Sequence, residues 1–138
     1  MRMLAIDGGG VRGLIPATLL AELERRTGRP ISQTFDVVAG TSAGGQIALA
    51  LSVPGSEGQP QWSAAEFAAY ITKAYGRVFD HPTLGLVSAL KSLTGEKYPA
   101  EPLESVLEDV FGPVMLSQAL TEVLVTSYEV ERAEPHFF

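Results

Sequence analysis

The stretch Phe35-Asp36-Val37-Val38-Ala39-Gly40-Thr41-Ser42-Ala43-Gly44-Gly45-Gln46-Ile47-Ala48-Leu49-Ala50-Leu51 sets the fold. Residues 35–39 form a short apolar run with β-branched valines, the pattern of a buried strand. Residues 46–51 are rich in alanine and leucine, the pattern of a helix. Between them Gly40-Thr41-Ser42-Ala43-Gly44 spells G-x-S-x-G, and that pattern between strand and helix is a nucleophile elbow. The glycines have a steric reason. Side chains two residues before and after the serine would collide across so sharp a turn. The turn holds the Ser42 hydroxyl out at the sheet edge. The N-terminus of the following helix offers its free N–H groups to negative charge developing there. The same five residues also occur in ordinary strand–helix turns, so the motif needs support from elsewhere in the chain.

Upstream, residues 3–6 read as a first buried strand, followed by Asp7-Gly8-Gly9-Gly10-Val11-Arg12-Gly13. Residues 14–26 read as a helix with Leu19, Leu20 and Leu23 as its apolar stripe. Pro16 falls in its first turn, and Gly28 and Pro30 end it. Strand, loop, helix and strand in this order imply a parallel pair joined by a right-handed crossover. The glycine loop has three readings. Gly8, Gly10 and Gly13 match the dinucleotide fingerprint G-x-G-x-x-G. That fingerprint wants an acidic residue at the end of the second strand. Asp36 stands at its start instead. The second reading is an oxyanion hole, because consecutive glycines let backbone N–H groups approach a substrate oxygen unobstructed. The third is a tight turn that only packs helix on strand. Both loops leave their strands at the C-terminal ends, where parallel sheets place ligands.

Composition narrows the class. The 138 residues suffice for one domain with a core, and 46% hydrophobic content excludes disorder. A net charge of −6 with interspersed signs argues against a nucleic-acid partner. The absence of cysteine excludes disulfides and thiolate metal sites, and no cofactor or metal is expected. The first residues make too short an apolar run for a signal peptide, and no run is long enough to span a membrane. A soluble cytoplasmic protein is the expectation.

Downstream, residues 53–61 are a turn-rich loop. Ser63 and Glu66 form a capping box that opens a helix through about Gly76, with Phe67, Tyr70, Ile71 and Ala74 on its core face. Asp80-His81-Pro82 is a break. Residues 83–93 read as an apolar helix ended by Thr94-Gly95, either core or a membrane-facing lid. Pro102 opens an amphipathic helix carrying Leu103, Val106, Leu107, Val110 and Phe111, and Gly112-Pro113 ends it. Residues 122–130 read as a strand, and Pro135 with Phe137-Phe138 as entry into another.

Asp7-Gly8-Gly9-Gly10-x-Arg12-Gly13 after the first strand, with Gly40-Thr41-Ser42-Ala43-Gly44-Gly45 after the next, resembles the patatin-like phospholipases. The pair of motifs matches that family in order and spacing, and the resemblance spans the chain. It implies a three-layer α/β/α sandwich around a mostly parallel sheet. It also implies hydrolysis of acyl-ester lipids such as phospholipids, with peripheral contact to a membrane. The chemistry would run through a Ser–Asp dyad. Ser42 corresponds to the nucleophile, and the backbone N–H groups around Gly8, Gly9 and Gly10 correspond to the oxyanion donors. Arg12 is the basic position of that loop, read either as a solvated arginine or as a contact for lipid phosphate, and Gly13 closes the loop. The chain departs from the family at the base, whose aspartate sits in a later Asp-Gly-Gly or Asp-Gly-Ala. No such motif follows Ser42, and Asp36, Asp80 and Asp109 lack the glycine context. Residues 1–138 are therefore expected to be the N-terminal part of a larger catalytic domain. Alone they would be weakly active, with an unpaired last strand that invites self-association.

Three functions stay open. One is the lipid acyl hydrolase. The second is a serine esterase with a full triad, since Ser42, Asp109 and His136 follow the α/β-hydrolase order. His81 and His136 are both ordinary in context. The third is a nucleotide-binding module without catalysis.

Overall fold

A computed structural model describes residues 1–79 and 100–138, with side chains described for residues 1–74 and 104–138. The break at Asp80-His81-Pro82 and the expected helix over 83–93 lie outside the described residues. Strand β1 (Met3–Ile6) leads through a 3₁₀ turn (Gly10–Gly13) into helix α1 (Leu14–Thr27). A short helix α2 (Ile31–Thr34) precedes β2 (Val37–Gly40), and α3 (Ala43–Ala50) follows the elbow. Then come α4 (Ala64–Phe79), α5 (Ala100–Phe111), β3 (Glu122–Glu129) and β4 (Glu134–Phe137).

The four strands lie in the order β1-β2-β3-β4, with β1, β2 and β3 parallel and β4 antiparallel. This is the mostly parallel sheet expected, with α1 in the crossover between its first two strands. Registry pairs Leu4, Val38 and Val123, and likewise Ile6, Gly40 and Val125. Alternation puts these six on one face. Ile6 and Val38 are buried there and join Leu20, Ile31, Ile47, Leu51, Phe67, Ile71 and Val110 in one core. The other face carries Met3 (62% exposed) and Leu124 (40%). Among the described residues, the core therefore lies on one face of the sheet. Two layers of the expected three are present among the described residues, consistent with the incomplete α/β fold anticipated.

Specific bonds fix the elements. Glu24 accepts hydrogen bonds from the Ile31 N–H at 2.9 Å and the Ala64 N–H at 2.7 Å. One carboxylate thus caps the starts of α2 and α4. The Ser63–Glu66 capping box forms as read, with the Ser63 N–H and hydroxyl donating to Glu66 and the Glu66 N–H donating back. Phe67, Ile71 and Ala74 are buried, as the core-face assignment required. Trp62 meets Phe67 edge-on and Tyr70 at a tilt, and its indole N–H donates to the Val110 carbonyl of α5 at 3.5 Å.

Three expectations shift. The second strand starts at Val37, not Phe35, because Asp36 is held by the Arg2 backbone and Thr121 donates to the carbonyls of Phe35 and Asp36. Leu19 leaves the α1 stripe and is 66% exposed, while Leu20 is buried. Finally, only residues 122–125 of β3 pair with β2, and residues 126–129 pair with β4. The β3–β4 hairpin thus runs on past the end of β2 by about four residues, roughly 13 Å of strand. No described helix is long and apolar enough to cross a membrane.

Candidate active site

β2 ends at Gly40, and Ser42 is the residue immediately before α3. Ser42 holds φ 53° and ψ −122°, a conformation strained for any residue with a side chain. The hydrogen bond from the Gly44 N–H to the Thr41 carbonyl (2.9 Å) closes the turn around it. A side chain at Gly40 would overlap the Gly44 carbonyl, and one at Gly44 would overlap the Ile6 carbonyl of β1. Glycine is needed at both because backbone packs on backbone. Ser42 itself is exposed at the C-terminal edge of the sheet.

The glycine loop meets this turn. The Thr41 N–H donates to the Ile6 carbonyl at 3.3 Å. A Cβ built on Gly8 would stand 2.9 Å from the Thr41 carbonyl oxygen and 3.1 Å from the Ser42 Cβ. Gly8 and Ser42 are therefore neighbours across the β1–β2 edge. The N–H groups of Gly8, Gly9 and Ala43 have no acceptor among the described residues. Gly10 (φ 57°) and buried Gly13 belong to the 3₁₀ turn that aims α1 away from the loop. Arg12 is exposed, and its side chain makes no hydrogen bond or ion pair with the described residues. With Asp7, Gly8, Leu4, Ile15 and Leu19 it lines a cavity of about 450 Å³ beside β1.

The other candidates lie elsewhere. Asp36 sits at the opposite end of β2, where a hydrogen bond from the Arg2 backbone and the Arg2 charge hold its carboxyl below the usual range. It is far from where a nucleotide ribose or a catalytic base would be needed. Asp109 accepts a hydrogen bond from the Tyr70 hydroxyl at 3.4 Å. His136 lies on β4 opposite Ser127, exposed, with its ring 4.6 Å from that of Phe138. Among the described residues no hydrogen bond joins Ser42, Asp109 and His136 into a triad. Asp80 and His81 lie outside the description.

Sequence reasoning missed one neighbour of the site. Thr126 donates to the Thr41 hydroxyl at 2.9 Å and so ties β3 to the residue before the serine. Its only sequence signal is registry: it follows Val125, which pairs with Gly40.

The sequence model described as "Patatin-like phospholipase" matches residues 4–137. Over 99% of its length the chain is 37% identical to "Patatin-like protein 2" of Arabidopsis thaliana, 34% to "Patatin-like protein 1" of Oryza sativa subsp. indica and 31% to "Patatin-17" of Solanum cardiophyllum. It spans 36%, 34% and 35% of those proteins, about a third of each.

Proposed function

Since this chain belongs to the patatin-like phospholipase family, we propose that the protein is a lipid acyl hydrolase whose nucleophile is Ser42. The observation that carries the reading is the strained Ser42 backbone between strand and helix, with the Gly8 loop packed against it. Strain of about 1–3 kcal/mol at a non-glycine residue persists where the surroundings impose it, commonly at an active site.

In this reading the Ser42 hydroxyl oxygen attacks the ester carbonyl of a phospholipid or another acyl-ester lipid as its proton passes to an aspartate base. The carbonyl oxygen becomes an oxyanion, met by the N–H groups of Gly8, Gly9, Gly10 and Ala43. Collapse expels the alcohol, which takes the proton back and leaves an acyl-serine. Water, deprotonated by the same base, then attacks the acyl-serine and frees the fatty acid and Ser42. None of the described aspartates is bonded to Ser42, and Asp36 and Asp109 are engaged elsewhere. We place the dyad aspartate in sequence beyond residue 138, a reading supported by relatives about three times as long. Contact with a membrane surface belongs to the same reading, because the substrate resides there.

The test is Ser42→Ala in the intact protein, with fatty-acid release from phospholipid vesicles as the readout. Release should fall by about 10⁴-fold or more while the fold persists. Undiminished release would refute the assignment. His136→Ala should stay within a few-fold of wild type, since the proposed chemistry does not use it.

A further inference from the structure

Thr126 stands at a fork in the sheet. The β2–β3 ladder ends with Gly40 opposite Val125, and from Thr126 onward β3 pairs with β4 instead. At that point the Thr126 hydroxyl donates to the Thr41 hydroxyl at 2.9 Å, so a side-chain bond carries the lateral link one residue beyond the backbone ladder. Among the described residues it is the one side-chain hydrogen bond that reaches residues 40–44. By alternation Thr126 shares the face of Leu124, opposite the face of Val125. Helix α3 rests on the Val125 face, where a Cβ on Gly45 would stand 3.1 Å from the Val125 side chain. The elbow is therefore held from both faces of the sheet, by α3 on one and by Thr126 on the other. Thr41 gathers the remaining bonds. Its N–H donates to the Ile6 carbonyl of β1 at 3.3 Å, and its carbonyl accepts from the Gly44 N–H at 2.9 Å. Thr41 thus joins β1, α3 and β3 immediately before Ser42.

We infer, building on the function proposed above, that Thr126 is a positioning residue: through Thr41 it keeps the Ser42 backbone in its strained turn and the Ser42 hydroxyl aligned with the Gly8 loop. Ser42 has φ 53° and ψ −122°, and such a conformation lasts only where neighbouring contacts over-determine it. The peptide joining Thr41 to Ser42 is the lever. A Cβ on Gly8 would stand 2.9 Å from the Thr41 carbonyl oxygen and 3.1 Å from the Ser42 Cβ. Any rotation of that peptide therefore moves the carbonyl and the serine side chain together against the Gly8 loop. The 3.3 Å bond from the Thr41 N–H to Ile6 is long for its kind, so the 2.9 Å hydroxyl pair is the tighter lateral tie. A nucleophile misplaced by about 1 Å loses roughly 10²-fold in rate, so releasing one tie among several should cost about tenfold. Thr126 acts here through Thr41, without touching the substrate itself.

Thr126→Val removes the hydroxyl and keeps the β-branched shape that suits a strand. In the intact protein acting on an octanoate ester, it should lower kcat about tenfold and leave KM within about twofold. Phosphonylation of Ser42 by a small fluorophosphonate, which needs no lipid binding, should slow by the same factor. Thr126→Ser restores the hydroxyl and should return both rates to within about threefold of wild type. Thr41→Val breaks the same bond from the other side, and the double variant should be no slower than the slower single one, because one bond is lost only once. Thr126→Ala decides the matter if the valine variant does not fold. A lowered thermal midpoint with wild-type kcat and phosphonylation would mark a merely structural bond and overturn the positioning role. A raised KM with unchanged kcat would put the Thr126 hydroxyl on the substrate and overturn it as well. So would additive losses in the double variant, or a serine that does not rescue. Each of these results, with hydrolysis still abolished by Ser42→Ala, leaves the proposed function standing. Hydrolysis that survives Ser42→Ala would overturn both.

Discussion

Ser42 is the residue at which local preference and observed conformation disagree most. Its φ of 53° with ψ of −122° suits glycine, yet the hydroxyl is the group the proposed chemistry needs. Replacing Ser42 with glycine should therefore raise stability by about 1 kcal/mol, the relieved strain exceeding the entropy cost of a new glycine. It should also abolish hydrolysis. Paired denaturant titrations and ester assays test this, and a less stable Ser42→Gly protein would contradict the strain argument. Gly40→Ala should act in the opposite direction. Its methyl would overlap the Gly44 carbonyl, and neither backbone can yield, so a loss of about 3 kcal/mol or more is expected. Both glycines of the elbow were legible in the sequence, because their reason is local. Thr126 was not, because a bond spanning 85 residues has no local signature.

At the scale of elements, most of the fold was legible. Periodicity and caps located β1, α1, α4 and β3 within a few residues, and the Ser63–Glu66 box formed as written. The short helix α2 escaped because its first N–H is satisfied by Glu24, seven residues earlier on another helix. Tertiary contact supplies the cap that the local sequence lacks. Glu24→Ala should consequently cost about 2–3 kcal/mol, since two helix-start N–H groups lose a charged acceptor. Thermal unfolding of the variant measures it, and an unchanged midpoint would count against the double cap. The surface of α1 bears on acid stability. Hydrogen bonds from Arg25 and Arg26 lower the Glu22 carboxyl to about 2. Ser63 lowers Glu66 in the same way, as the Arg2 backbone does Asp36. Each folded-state pKa is depressed, so each group contributes stability above the ordinary carboxylate range. That stability is lost as pH falls through the folded value. For Glu22 the window runs from 4.5 down to about 2. In an acid titration followed by far-ultraviolet dichroism, Glu22→Gln should flatten that part of the loss.

At the scale of the molecule, among the described residues the sheet has its core on one face and β1 and β4 as its outer strands. The chain is about a third as long as the relatives it matches, and its described part brings the Ser42 turn and the glycine loop together, with no described aspartate bonded to Ser42. Residues 1–138 alone should hydrolyse lipid esters about 10³-fold or more slowly than the intact protein, if serine and base act as a unit. Equal rates for the two would place the base within these residues. The sandwich was legible through the family resemblance and not through local pattern, because Met3 and Leu124 look like ordinary strand residues until the registry puts them on one face, where both are exposed among the described residues.

Trp62 is the only tryptophan in these 138 residues, and its indole touches Phe67 and Tyr70 while donating to Val110. Its fluorescence is thus a single-site optical gauge for the seam between α4 and α5. A red shift in emission would report that seam parting before the sheet does.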